Sequence, residues 1–159
     1  MAFRRTGDGV TYFMKRVVPF FILVLLLSLS LASQAPAQVQ TRIRIIQASN
    51  VGSNIDPSLR DVHGQLGSLF SFTSYRLLKD ETLSLSPNRP AEIPAHKDIS
   101  LQITWVGKRK DIAELRVIIK RERTDILDTQ VRLPPGRTVL IGGPKHGEGV
   151  VILALSARF

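Results

Sequence analysis

The sequence predicts a mainly β fold: an antiparallel sheet or small β-sandwich with one flanking helix near residues 56–70. Three observations predict it. Ile99-Leu101-Ile103-Trp105, Ala113-Leu115-Val117-Ile119 and Leu127-Thr129-Val131-Leu133 each alternate with mostly polar neighbours, the two-residue period of a strand. Short polar turns, Gly107 to Lys110 and Arg121 to Thr124, separate these runs, as in an antiparallel meander. A single stretch, Leu59 to Phe70, carries apolar residues at helical spacing.

Each element has its own signal. Thr41-Arg42-Ile43-Arg44-Ile45 alternates and reads as a half-buried strand; Ala48 to Ile55 is rich in turn formers and reads as a loop. Asp56-Pro57 reads as a helix start. The carboxylate can cap exposed amides, and proline loses nothing at the first helical position. Leu59, Val62, Leu66, Leu69 and Phe70 would form the buried face, with Gly64 and Gly67 each costing roughly 1 kcal/mol relative to alanine.

Phe72 to Leu78 and Glu81 to Ser86 read as two further strands, Pro87 to Pro90 as a turn, and Ala91 to Ile93 as a short edge strand beside Pro94. After the three-strand meander, Pro134-Pro135-Gly136 turns the chain into Thr138 to Ile141. Gly142 to Gly149 reads as a loop. Val150 to Leu155 is apolar at every position, as in a central strand covered on both faces.

The N-terminal residues read as an address. Arg4, Arg5, Lys15 and Arg16 precede an apolar run from Val17 to Leu31, followed by the small-x-small pattern Ala35-Pro36-Ala37. That is the layout of a Sec-type signal peptide. The run is about 15 residues and is interrupted by Pro19, Ser28 and Ser30, whereas a bilayer-spanning helix needs roughly 20. The expectation is a signal over 1–37 and a single exported domain over 38–159, periplasmic or extracellular. The alternative is an uncleaved N-terminal membrane anchor.

Without Arg4, Arg5, Lys15, Arg16 and Asp8, the 22 basic and 13 acidic side chains become 18 and 12, a net charge of +6. Outside the cytoplasm the anions available are lipid head groups, lipopolysaccharide, acidic glycans and acidic proteins, and nucleic acid is not expected as a partner. The chain has no cysteine, which excludes thiol chemistry and cysteine-ligated metal, and leaves the fold to its core alone.

No catalytic pattern emerges. His63, His96 and His146 lack the spacing that places two imidazoles on one metal. Asp80 and Glu81 should diverge on a strand, as should Asp125 and Asp128. No serine lies in G-x-S-x-G or S-x-x-K. No metal or cofactor is expected, and no enzymatic activity. The candidate ligand contacts are cations that could meet an anion: Lys108, Arg109 and Lys110 in one turn, and Lys145 in the glycine loop. The Lys108–Lys110 cluster and the basic run Lys120 to Arg123 should sit at opposite ends of the meander, about 30 Å apart. Trp105 falls on the inward alternation and should be core.

Asn88-Arg89-Pro90-Ala91-Glu92-Ile93 and Pro135-Gly136-Arg137-Thr138-Val139-Leu140-Ile141-Gly142-Gly143 resemble the turn-and-strand and double-glycine elements of the core β-domain of outer-membrane secretins. Val150 to Ala157 sits where that family has its last apolar strand, so the resemblance spans Leu85 to Ala157. The family's long segment between the double glycine and the last strand is a short loop here, and amphipathic transmembrane hairpins are missing. The resemblance implies a β-scaffold working beside an envelope assembly, without a pore. The function expected is therefore non-enzymatic: an exported β-domain that binds an envelope or secretion protein, through Ile118 on an outward face or through edge strands such as Ala91 to Ile93. The alternative is an anion-binding module for membrane surface, lipopolysaccharide or acidic glycan, and the third reading is an enzyme of unknown class, since catalytic residues can assemble over long sequence separations.

Overall fold

The structure is a computed structural model, and it describes residues 38–96 and 98–158. The signal-peptide expectation for 1–37 lies outside these residues. Eight strands make two four-stranded antiparallel sheets, the sandwich form of the expected β fold. In chain order they are β1 (Val39–Ser49), β2 (Ser74–Leu85), β3 (Pro90–His96), β4 (Ile99–Arg109), β5 (Ile112–Arg121), β6 (Thr124–Leu133), β7 (Thr138–His146) and β8 (Gly149–Arg158). A 3-10 turn, Pro57–Leu59, leads into one helix, α1 (Arg60–Leu69), between β1 and β2.

The meander holds and gains a strand: β3, β4, β5 and β6 pair in sequence order as the second sheet. The first sheet runs β2-β1-β8-β7, so the first and last strands of the domain pair side by side. Alternation then divides the side chains. Val39, Ile43, Ile45, Val151, Leu153, Leu155 and Ala157 point between the sheets, where they meet Leu101, Ile103, Trp105, Leu115, Val117 and Ile119. Burial of these apolar surfaces is the main force holding the sandwich. Trp105 is core, and its indole Nε1–H donates to the Gly107 carbonyl at 2.7 Å.

A second, smaller core lies on the outer face of the first sheet. Ile46, Ala48, Ile152 and Ala154 are buried there beneath Leu59, Val62 and Leu66 of the helical segment. This explains why β8 is apolar on both faces: one side meets the other sheet, the opposite side meets α1. Asp56 caps the 3-10 turn as expected, accepting from the Ser58 amide at 2.9 Å, with Pro57 in the first position.

Several details depart from the sequence reading. Ala48 and Ser49 end β1 instead of opening the loop, and Gly107 to Arg109 end β4 instead of forming the turn. Leu69 is 59 % exposed, because the helix turns it away from the sheet and the chain becomes extended at Phe70. The two strands expected over 72–86 are one continuous strand, β2, with a bulge opposite Ile45 and Ile46 that admits Leu78. The edge strand expected over Ala91 to Ile93 does lie at an edge, but extends from Pro90 to His96. The Gly142–Gly149 loop is mostly strand: β7 continues through a bulge to His146, leaving a turn at Gly147 and Glu148. Glycine permits this, since a Cβ on Gly143 would lie 2.9 Å from the Val151 carbonyl oxygen.

Candidate functional site

The outer face of the first sheet changes character halfway along its strands. On β1 the outward residues run Gln40, Arg42, Arg44, then Ile46 and Ala48; on β8 they run Ile152 and Ala154, then Ser156 and Arg158. The apolar halves lie beneath α1. The polar halves, apart from Arg44 at the border, lie beyond the helix and, with Thr82 of β2 and Thr138 of β7, line a cleft of about 360 Å3. Gly136 and Asp61 stand at its rim.

Three arginines line this cleft: Arg42, Arg44 and Arg158. The register explains how. Arg42 lies directly opposite Ser156, and Gln40 opposite Arg158. Arg42 and Arg158 are therefore diagonal neighbours, about 7–8 Å apart at the backbone and within reach of a common anion. Arg44 follows Arg42 on the same face one strand repeat further along.

The three arginines are held differently. Arg44 is buried at the border with the helix, its side chain only 3 % exposed, and forms a two-pronged pair with Asp61 at 2.7 and 2.9 Å. That geometry matches the planar fork of a guanidinium to the two carboxylate oxygens. The hydrogen bond from Arg44 holds the Asp61 carboxyl below the ordinary carboxylate range, against the opposing effect of its own partial burial. Arg42 is more open and is gripped from β2 by Asp80, with Nε 2.9 Å from one carboxylate oxygen. Its bond lowers the Asp80 pKa, and Asp80 in turn raises that of Arg42. Arg158 makes no ion pair among the described residues. Around these charges stand the hydroxyls of Thr82, Thr138 and Ser156 and the Gln40 amide. Such a lining can bind an anion and hydrogen-bond the hydroxyls beside it.

The four cations singled out from sequence are not brought together. Lys108 and Arg109 end β4, and Lys110 sits in the following turn with φ +55°. Lys145 lies near the end of β7, where its carbonyl accepts from Arg121 at 2.7 Å. Arg121 ends β5 and Ile112 begins it, so Lys145 and the Lys108–Lys110 turn are separated by about 30 Å of strand. Asp80 and Glu81 diverge as expected: Asp80 reaches Arg42 outward while Glu81 pairs with Lys79. Asp125 and Asp128 do not diverge, because the bulge at Ile126 sets Asp125 opposite Lys120 and Asp128 opposite Ile118, alternate positions of β5 on the same outer face, where Asp128 pairs with Arg116.

Two histidines do meet. His96 ends β3 and His146 ends β7, and their rings pack edge to face with centroids 4.4 Å apart. Neither lines the arginine cleft or the shallower hollow formed by Ile55, Asp56, Pro57, Arg60 and His63. Among the described residues, no three metal-ligating side chains cluster, and no helix is long and apolar enough to cross a membrane.

Half of the cleft had a signal in the sequence. Arg42 and Arg44 alternate with buried isoleucines and precede Ile46 and Ala48 on the same face, so the point where the polar stripe becomes apolar was visible. Arg158 had no such signal, because its place beside Gln40 depends on the pairing of β1 with β8.

No family model matches the chain, and neither a curated protein nor a solved structure matches it.

Proposed function

We propose that this protein is a non-catalytic binding module of the cell envelope and that the arginine cleft receives an acidic glycan. The observation that carries this reading is that Arg42, Arg44 and Arg158 line one cleft together with the hydroxyl-bearing Thr82, Thr138 and Ser156. A carboxylate or sulfate on a sugar would sit between Arg158 and Arg42. Its neighbouring hydroxyls would face Thr82, Thr138, Ser156 and Gln40. Arg44, neutralised and locked by Asp61, would brace the cleft wall, leaving Arg158 as the cation without an ion pair among the described residues. The net charge of +6 on 38–159 favours approach of a polyanion, and the N-terminal sequence supports an exported location.

Calorimetric titration with an oligogalacturonate, a neutral oligogalactan and anionic vesicles tests this. Binding of the acidic oligosaccharide alone, weakened about tenfold by Arg158→Ala, which corresponds to about 1.4 kcal/mol, is the expected result. Affinity should also fall with added salt. Equal binding of the neutral sugar, or indifference to Arg158→Ala, would refute it. Loss of binding on changing Lys108, Arg109 and Lys110 instead would return the site to the hairpin turn.

A second reading is a secretion-related assembly role, in which the domain binds an envelope protein along a sheet edge. Ala91 to Ile93 lies in the outermost strand of the second sheet, but Pro90 and Pro94 limit strand addition there, so such a contact would be made by side chains. Cross-linked envelope that yields no specific protein adduct at this strand would count against it.

A further inference from the structure

The sandwich has four edge strands, β2, β7, β3 and β6, and three of them carry devices that discourage pairing with another chain. β2 has its bulge at Leu78 and a Lys79–Glu81 ion pair at 3.0 Å on alternate positions of one face. β3 contains Pro90 and Pro94, which lack amide hydrogens, and the Pro94 carbonyl already accepts from Lys79. β7 is interrupted by its bulge and by Pro144. β6 differs. It has one bulge, at Ile126 near its start; from Leu127 to Leu133 it runs regularly against β5, with no proline and no charge directed inward.

The outward residues of this regular segment are Asp128, Gln130 and Arg132, all exposed; the inward ones are Leu127, Thr129, Val131 and Leu133. We infer that β6 pairs antiparallel with β6 of a second copy of this chain, about a twofold axis through Gln130, joining the two second sheets into one. In that register Asp128 of each copy lies opposite Arg132 of the other, and Gln130 faces its own mate. Leu127 meets Leu133, and Thr129 meets Val131, along the inward side. Opposite charges facing across a strand pair attract, and a twofold contact repeats each such pair. Centring the pair on Thr129 or Val131 would separate Asp128 from Arg132, so the charges select one register.

Both charged groups have room to be shared. Asp128 accepts from Arg116 and Arg132 pairs with Glu114 within its own sheet, yet the Arg132 side chain is 75 % exposed. The occupant is a second copy because the complementarity is between this strand and itself. The inference does not depend on what the arginine cleft binds, since that cleft lies on the other sheet.

The absence of cysteine allows a direct test in the full chain. Residues facing each other in an antiparallel pair have Cα atoms about 4.5–5.5 Å apart, within disulfide range. Gln130→Cys, expressed in the full-length protein and mildly oxidised, should therefore give a disulfide-linked band at twice the chain mass. Thr124→Cys should not, because the two copies of residue 124 would be about 40 Å apart. Adding Asp128→Arg or Arg132→Asp to Gln130→Cys should abolish the band in either single variant, since like charges then face each other. Co-expressing the two variants with different tags should restore it as a heterodimer, where every facing pair is again Arg with Asp. The restored pair requires both variants to fold, and wild-type sedimentation at increasing concentration gives an independent reading of the dimer. No band from Gln130→Cys together with a monomeric wild type, a band that persists in both charge variants, or an adduct of another mass would overturn the inference.

Discussion

Removing the carboxylate of Asp61 should destabilise the domain far more than an ordinary surface change, because of what it leaves behind. Arg44 is 2 % exposed overall and its guanidinium has both its described hydrogen bonds to Asp61. In Asp61→Ala a buried cation loses its partner. Loss of one member of a fully buried pair costs about 3–5 kcal/mol. Here the Asp61 side chain is 56 % exposed, so water already screens part of the interaction, and the cleft lets some solvent reach the vacated position. The charged hydrogen-bond range, about 1.5–3 kcal/mol, is the better scale.

For a domain of this size about 1 kcal/mol shifts Tm by about 4 °C, so the melting point should fall by about 6–12 °C. Asp80→Ala supplies the comparison. Its partner Arg42 is 45 % exposed, and such a pair is worth about 0.2–1 kcal/mol, a shift of at most about 4 °C. Adding Arg44→Met to Asp61→Ala should recover much of the loss, since an apolar side chain of similar reach does not need the lost partner. Differential scanning calorimetry of the wild type and these three variants measures all of this. If Asp61→Ala costs no more than Asp80→Ala, or if Arg44→Met recovers nothing, the buried-charge argument is refuted.

Other consequences are open to measurement. The Asp61 pKa is lowered on folding, so its contribution is present above the unfolded carboxylate pKa, about 3.9, and is lost as pH falls through the folded value; calorimetry from pH 5 downward should show a loss that Asp61→Asn lacks. Leu66→Ala should cost about 2–5 kcal/mol and Leu69→Ala less than about 0.5, read from urea midpoints, because the first is fully buried beneath the helix and the second is exposed. The Thr41 hydroxyl is buried between the sheets without a partner among the described residues, so Thr41→Val should raise stability by about 1 kcal/mol; a fall in Tm would contradict this. A Cβ on Gly149 would lie 2.0 Å from the Ala48 carbonyl oxygen, so Gly149→Ala should destabilise by about 1–3 kcal/mol or more, with exchange protection lost first where β1 meets β8.

The sequence by itself determined the fold class and most of the elements. Strand period is a local property, so β4, β5 and β6 and their two turns were legible from Ile99 to Leu133. The helix start was legible from Asp56-Pro57, and the double burial of β8 from the unbroken apolar run at Val150 to Leu155. Local pattern failed where a strand absorbs an irregularity. The bulge at Leu78 made β2 look like two strands, and Gly142-Gly143-Pro144 looked like a loop because glycine and proline serve bulges as well as turns.

Only the tertiary structure decided which strands lie side by side. The pairing of β1 with β8 joins residues a hundred or more positions apart, and no periodicity encodes it. That pairing brings Arg158 beside Arg42, and the position of α1 on the sheet leaves their half of the face open. The cationic turn at Lys108 was prominent in the sequence because its charges are consecutive. The arginine cleft was not, because its charges are assembled across strands, and only the register of those strands sets what faces what.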